Sequence, residues 1–213
     1  MPTKVPPAKR ATPPEPRIHD VALSTLIAKG DFISTIWLTW TGKKPTSSQR
    51  AVLEACLIAC IDHGEEPPST QVTRLVASCQ KPLADSVAAG LLTLGPIHGN
   101  AASLASTWLK KYQNTDSVSD LIKETLARRE RIPGFGHRRY DIDPRTVALT
   151  KLIRNHLKKT PHLDFAERVR TELSAQKEKM FALNIDGAIG AIVADLGLES
   201  DYADAIFLCS RTF

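Results

Sequence analysis

An all-α, multi-helical fold is what this sequence predicts, on three observations. Apolar residues recur at three- and four-residue spacing in most long segments, Pro and Gly fall between those segments, and neither two-residue alternation nor an Asn-Gly hairpin signal appears. At 213 residues, 42% apolar and 24% charged, the chain is long enough for one sizeable core. A small subdomain around 115–180 is compatible with that length.

Residues 1–16 hold six of the fourteen prolines together with Lys4, Lys9 and Arg10, the composition of an extended or disordered arm. The helical domain is expected over 17–213. The apolar, aromatic and β-branched run 32–40 suits a buried strand or a helix, and its helical surroundings favour helix. Ser47 or Ser48 can cap a helix reaching about Asp62, whose interior, 51–61, is apolar nearly all round. That helix is expected at the centre, with the others packed around it. After Pro67-Pro68, Ser69 can cap a helix carrying the stripe Val72, Leu75, Val76, Cys79. Helices follow over 83–94, stopped by Gly95-Pro96, from about Asn100 to Gln113, and over 117–131.

Asp143 before Pro144 reads as an N-cap and first helical residue, so Arg145 falls in the first turn of a helix running to about Lys159. The last helices are expected over 164–180, with Phe165, Val169 and Leu173 on one face, over 187–196, and from Asp201 onward.

Charge and cysteines exclude several classes. A net charge of +5 spread among acidic residues does not make a nucleic-acid footprint, although it suits a phosphorylated anionic ligand. Binding of nucleic acid by the basic arm would show itself as steep salt dependence lost on deleting 1–16. Cys56, Cys60, Cys79 and Cys209 lie in apolar helical contexts without metal-ligand spacing and read as core thiols, so no metal site is expected. With no apolar run long enough to span a bilayer and no secretory signal, no membrane association is expected, and the reducing cytoplasm is the expected compartment.

Three Gly-containing contexts hold residues able to move protons: Gly95-Pro-Ile-His98-Gly99, Pro133-Gly-Phe-Gly-His137-Arg138, and Asn184-Ile-Asp186-Gly187. Pro133, Gly134 and Gly136 impose a tight path on which backbone can pass close to a ligand. His137 and Arg145 then share one short loop, where the first can donate to a carbonyl oxygen while the second clamps a carboxylate. His98 stands at a helix N-terminus, where the dipole disfavours an imidazolium and a neutral ring can donate to a developing enolate. Each also has a plain alternative: His98 as a backbone cap, His63 as a favourable charge at a helix C-terminus beside Gly64, and Asp186 as an N-cap.

These segments, with Asp62-His63 and Asp143-Pro-Arg145, occur in the order found in the citrate synthase superfamily, which residues 32–213 resemble. The resemblance implies a citrate synthase-like helical fold lacking much of the N-terminal region of full-length citrate synthases. It implies that Asp186 removes a proton from the acetyl-CoA methyl group, His98 holds the enol oxygen, and His137 polarises and protonates the keto oxygen of oxaloacetate. His63, Arg145 and Arg211 would bind carboxylates, Arg211 by its Ser-Arg-Thr-Phe context. The backbone of Gly134, Phe135 and Gly136 can approach the adenine of coenzyme A, and Arg138, Arg139 or nearby lysines can meet its phosphates.

The run 33–45 and the segment 54–64 resemble the short citryl-CoA lyase branch, which includes the C-terminal module of ATP-citrate lyase. Gly64 is the sharpest point, since citrate synthases usually carry Glu after that Asp-His pair. Cleavage of citryl-CoA to acetyl-CoA and oxaloacetate is therefore the expected reaction, with citrate synthesis as the near alternative and a non-catalytic helical assembly module as the other. The thioester is expected as substrate, with no tightly bound cofactor. A homodimer or larger homo-oligomer is expected through 83–94 and 101–109. The chain stops two residues after Arg211, where the family normally continues, so truncation at the C-terminus is expected.

Overall fold

The computed structural model describes residues 13–62, 64–95, 98–99, 101–137 and 139–213. Their regular secondary structure is almost entirely helical, and the chain divides into two compact units, 1–46 and 47–213. His63, Arg138 and most of the Pro-rich arm lie outside the described residues.

In the first unit, β1 (Arg17–Ile18) and β2 (Val21–Ala22) pair antiparallel with Arg17 opposite Ala22 and Ile18 opposite Val21. Two residues per strand are too few to register as alternation in the sequence. Helix α1 (Leu23–Lys29) follows. The ambiguous run 32–40 is helix α2 (Phe32–Thr41): Asp31 caps it by accepting the Ser34 N–H at 3.0 Å, and Gly42 ends it in the left-handed conformation.

The second unit contains α3 (Ser47–Ile61), α4 (Pro68–Ser78), α5 (Leu83–Leu91), α6 (Ala101–Tyr112), α7 (Val118–Ala127), α8 (Pro144–His156), α9 (Pro161–Gln176), α10 (Ile185–Asp195) and α11 (Asp201–Arg211). Asp143 caps α8 as its sequence foretold, accepting the Arg145 N–H at 3.0 Å. The centre is not α3, as its apolar interior suggested, but α10. Every residue from Gly187 to Ala194 is buried, and the helix packs on α6, α8, α9 and α11. On α3, Val52, Leu53, Cys56 and Cys60 face inward while Ile58 and Ile61 stay exposed.

Size of side chain explains the exchange of roles. A Cβ on Gly190 would stand 2.7 Å from the Ala102 carbonyl oxygen and 2.7 Å from the Ser106 nitrogen, so only glycine lets α6 and α10 approach so closely. Bulky apolar residues mark a face that is covered, whereas small ones mark where two backbones meet.

The stripe expected to bury α4 does not do so. Ser69 is its one buried residue, Leu75 is 66% exposed, and on α5 Leu83 and Leu92 are 80% and 86% exposed. The two helices instead pack on each other where Gly90 meets Thr73 and the Ser69 carbonyl. Cys79 is exposed and Cys209 partly so, leaving Cys56 and Cys60 as core thiols.

Helix α9 starts at Pro161, three residues before the expected Asp164. Buried Asp195 at the end of α10 accepts the N–H groups of His162 at 2.8 Å and Leu163 at 3.1 Å, with the His162 ring Nδ1 at 2.9 Å. One carboxylate thus caps a helix 33 residues away. Among the described residues, no helix is long and apolar enough to cross a membrane.

The loop 133–137 is laid against 182–184 as a short antiparallel bridge. Gly136 N–H donates to the Ala182 carbonyl at 2.8 Å, Asn184 N–H to the Gly134 carbonyl at 3.1 Å, and Phe135 stands opposite Leu183. Gly134 has φ +88°, and a Cβ there would lie 2.5 Å from the Gly187 Cα. Gly134→Ala is expected to cost about 3 kcal/mol or more, combining left-handed strain with a backbone collision. Gly197→Ala, at φ +71° with nothing within 4 Å of its Cβ, carries the strain without the collision and is expected to cost about 1 kcal/mol. Urea unfolding of both variants measures the difference, and equal costs would contradict the close contact.

Candidate active site

The N-terminus of α10 supplies the carboxylate. Asn184 is the cap: its Oδ1 accepts the Gly187 N–H at 3.0 Å, while its Nδ2 donates to the Gly136 carbonyl at 2.9 Å. Capping, the plain alternative for Asp186, is therefore already provided two residues earlier. Asp186 sits in the first turn with its Oδ1 buried and without a hydrogen-bond partner among the described residues. Burial pushes its carboxyl up to about 6; the Arg145 and Arg211 charges oppose that rise, and Asp204 and Asp143 add to it.

The loop after α7 supplies His137. Its Nδ1 accepts the backbone N–H groups of Arg139 at 3.0 Å and Tyr140 at 3.2 Å. Those bonds require a lone pair on Nδ1, so in the neutral ring the proton sits on Nε2. Nε2 is 4.0 Å from Asp143 Oδ2, beyond hydrogen-bond reach, so this contact is electrostatic.

Asp143 is more than a cap. It is 1% exposed and holds Arg145 by two parallel bonds, Nε to Oδ1 at 3.1 Å and Nη2 to Oδ2 at 2.8 Å. Burial alone would raise its carboxyl, but the hydrogen bond and charge of Arg145 prevail and hold it below the ordinary value. The buried carboxylate thus fixes the guanidinium plane beside His137. Sequence reasoning stopped at the cap, although a capping Asp two residues before an Arg is also placed to grip that Arg.

His98 lies in a turn closed by the Gly95 and His98 main chains, whose N–H groups donate to each other's carbonyl. Its Nε2 is 3.0 Å from Ser69 Oγ and 3.4 Å from the Ser69 N–H. The backbone donor makes Nε2 the acceptor, which leaves the proton on Nδ1. Burial, then the charge of Arg211, holds the ring below its ordinary pKa, so it is neutral at pH 7. Ser69 was expected to cap α4, but the helix begins one residue before it, and Ser69 is buried against His98 instead.

Arg211, at the end of α11, lies over the Phe207 ring with its Cζ 4.8 Å from the centroid. Its Nε and Nη2 are buried and without partners among the described residues. Phe207 also meets the His98 ring edge-on at 6.1 Å. The Cys60 thiol feels the charges of Asp186, Arg211, Arg145 and Asp143, and burial pushes it up to about 12, so it is an uncharged wall of the site. Five of the six residues expected to act on substrate are described here. Asp186, Arg145 and Arg211 act on one another electrostatically, Arg211 also acts on His98, and His137 faces the carboxylate that grips Arg145. Of the four expected to meet coenzyme A, Gly134, Phe135 and Gly136 adjoin this cluster through the bridge to 182–184.

The geometry has counterparts among known proteins. The family profile described as "Citrate synthase, C-terminal domain" matches residues 17–213. ATP-citrate synthase beta chain protein 1 of Oryza sativa subsp. japonica is 30% identical over 190 residues, which are 85% of this chain and 31% of the rice protein. Citryl-CoA lyase from Hydrogenobacter thermophilus superposes with a TM-score of 0.85 at 37% identity, covering 91% of this chain and 77% of that one. ATP citrate lyase from Methanothrix soehngenii, solved with citrate and coenzyme A, gives 0.82 at 27% identity over 90% of this chain and 34% of that one. The chain thus spans about a third of the ATP-dependent relatives.

Fold and matched segments define a helical protein built like citrate synthases and citryl-CoA lyases. The chain belongs to the citrate synthase family, matched through its C-terminal domain.

The raised carboxyl of Asp186 carries a stability signature. An unfolded Asp titrates near 3.9, so between about 4 and 6 the folded state holds a proton that the unfolded state lacks. The cost of the buried charge is absent below about 4 and complete above about 6, where it reaches roughly 2–3 kcal/mol. Asp186→Asn should therefore be more stable than the parent at pH 8 by about 2 kcal/mol, with the gap closing toward pH 4.5. Urea melts across that range measure it; a gap independent of pH would contradict the assignment.

Proposed function

We propose that this chain makes and breaks the carbon–carbon bond of citryl-CoA, running chiefly as a citryl-CoA lyase that yields acetyl-CoA and oxaloacetate. The observation that carries this reading is Asp186: a carboxylate whose Oδ1 is buried and without a partner among the described residues, relieved of capping by Asn184 and accompanied by two imidazoles whose proton positions are set by backbone N–H donors. A carbon acid as weak as a thioester methyl needs a base and an enol stabiliser acting together.

In the bond-forming direction, the Asp186 carboxylate takes a methyl proton of acetyl-CoA. The C–H electrons move into the thioester as an enolate, whose oxygen accepts from His98 Nδ1–H. The enolate carbon attacks the keto carbon of oxaloacetate, and the resulting alkoxide takes the proton of His137 Nε2. Solvent restores that proton while Asp186 releases its own. Cleavage runs these steps backward. Arg145, held in its plane by Asp143, and Arg211, with two unsatisfied donors, suit the carboxylates of the oxo acid, with His63 joining them. A carboxyl pushed up to about 6 remains ionised at pH 7 and is a stronger base than an ordinary aspartate.

The substrate choice rests on the relatives: the Hydrogenobacter structure is a citryl-CoA lyase, and the Methanothrix enzyme was solved with citrate and coenzyme A. Coenzyme A is the proposed occupant of the surface formed by Gly134, Phe135 and Gly136, with Arg138 meeting its phosphates. A second copy of the chain is the proposed cover for the exposed Leu75, Leu83 and Leu92 of α4 and α5. The inward face of α6 is occupied by α10, leaving Leu104 for such a contact.

Citryl-CoA supplied to the purified protein should release oxaloacetate, read by coupling to malate dehydrogenase, without free coenzyme A. Rapid thiol release would make the chain a synthase, and silence with a folded protein would sink the reading. Asp186→Asn should abolish deuterium exchange at the acetyl-CoA methyl by a factor of about 1,000 or more while leaving thioester binding within a few-fold. Exchange at the parent rate would remove Asp186 from its role.

A further inference from the structure

Helix α11 presents Asp204, Phe207 and Arg211 at i, i+3 and i+7, one stripe along a helix. Phe207 and Arg211 act on the turn that carries His98, and Asp204 on the helix that follows it. Asp204 Oδ1 accepts the Ser103 N–H at 3.0 Å, and its Oδ2 accepts the Ser103 hydroxyl. Ser103 lies in the first turn of α6, the helix that begins just after the His98 turn. Phe207 stands edge-on to the His98 ring, and its Cε1 would lie 3.1 Å from a Cβ on Gly99. Arg211 covers the Phe207 ring. The turn is held from below by Ser69 and from the side by this stripe.

We propose that Asp204 is a positioning residue: by capping α6 from α11, across 101 residues of sequence, it fixes the His98 turn against Phe207 and so sets where the imidazole stands relative to Asp186. This inference rests on the proposed reaction for its kinetic consequence, but not for its geometric one. Asp204 also lies within electrostatic reach of Asp186 and raises its carboxyl; the other groups acting there are Arg145 and Asp143 at the start of α8, Arg211 on α11, and Cys60 on α3. Removing the Asp204 charge therefore both loosens the His98 turn and weakens the base.

Asp204→Asn retains a carbonyl oxygen for the Ser103 N–H and is the gentler change; Asp204→Ala removes the link. In the full-length chain, deuterium exchange at the acetyl-CoA methyl should slow about tenfold in Asp204→Asn, with KM within about twofold and the acid limb of the pH profile displaced to lower pH. Histidine ring resonances read the geometry without any turnover: those of His98 should shift in Asp204→Asn and Asp204→Ala and stay in place in Asp201→Asn, an exposed acid on the same helix. Unchanged exchange with an unmoved acid limb would overturn the proposal, as would a loss confined to melting temperature. If the parent itself shows no exchange, the proposed reaction falls. The His98 resonances then decide alone: displaced by the Asp204 variants but not by Asp201→Asn, they sustain the positioning role; otherwise they overturn it.

Discussion

The contact between the Gly134 and Gly187 backbones is the constraint on which the second unit's chemistry depends. A Cβ on Gly187 would stand 2.3 Å from the Gly134 carbonyl oxygen, so the loop and the helix start can meet only where both residues lack a side chain. Through that contact the bridge between Phe135 and Leu183 forms, and Asn184 ties Gly136 to the cap of α10. His137 follows Gly136 in one segment, and Asp186 follows Asn184 in the other. Two titratable side chains 49 positions apart are thus positioned by main-chain geometry.

Burial in α10 serves the site at some expense to stability. A helix whose residues 187–194 are all inside provides a dry wall, and the same dryness pushes the Asp186 carboxyl up to about 6. Arg211 likewise has two buried donors without partners among the described residues. Unsatisfied buried groups cost about 1–3 kcal/mol each, more when charged, and a structure selected for stability alone would pair them. The contrast lies close by: Asp143 and Arg145, equally capable of binding a ligand, are locked to each other. In that pair each charge satisfies the other, whereas Asp186 Oδ1 and the two Arg211 nitrogens have no such partner among the described residues.

Much of this was legible from sequence because the relevant signals are local. Asp143-Pro144 announced a helix start, and Gly-rich loops around His98 and His137 announced tight turns, as the structure has them. What escaped was non-local. Helix α10 reads as an ordinary apolar helix, and only the near approach of Ala102 and Ser106 shows why its glycines place it at the centre. Asp195 and Asp204 look like surface acids until the helices they cap, 33 and 101 residues away, are folded beside them. Leu75, a stripe residue that periodicity assigns to a core, stays on the surface because α4 meets α5 through Gly90 and Thr73 rather than through leucines. Periodicity reports that a face is apolar; it carries no information about what covers it.

The two imidazoles show why donors from the main chain suit a site of this kind. For His98, a carboxylate partner would hold the ring in place, but it would also favour a second proton and turn a hydrogen-bond donor into a cation. Backbone N–H groups orient the ring just as firmly and do the opposite, since the lone pair they bond to is the one a second proton would need. His98 accepts through Nε2 and His137 through Nδ1, so opposite nitrogens are left to donate. Arg211 acts on His98, and Arg145 is gripped by the carboxylate that His137 faces, so each ring of fixed donor direction stands near a guanidinium. The direction in which each ring donates is therefore set by the main chain and not by a neighbouring charge.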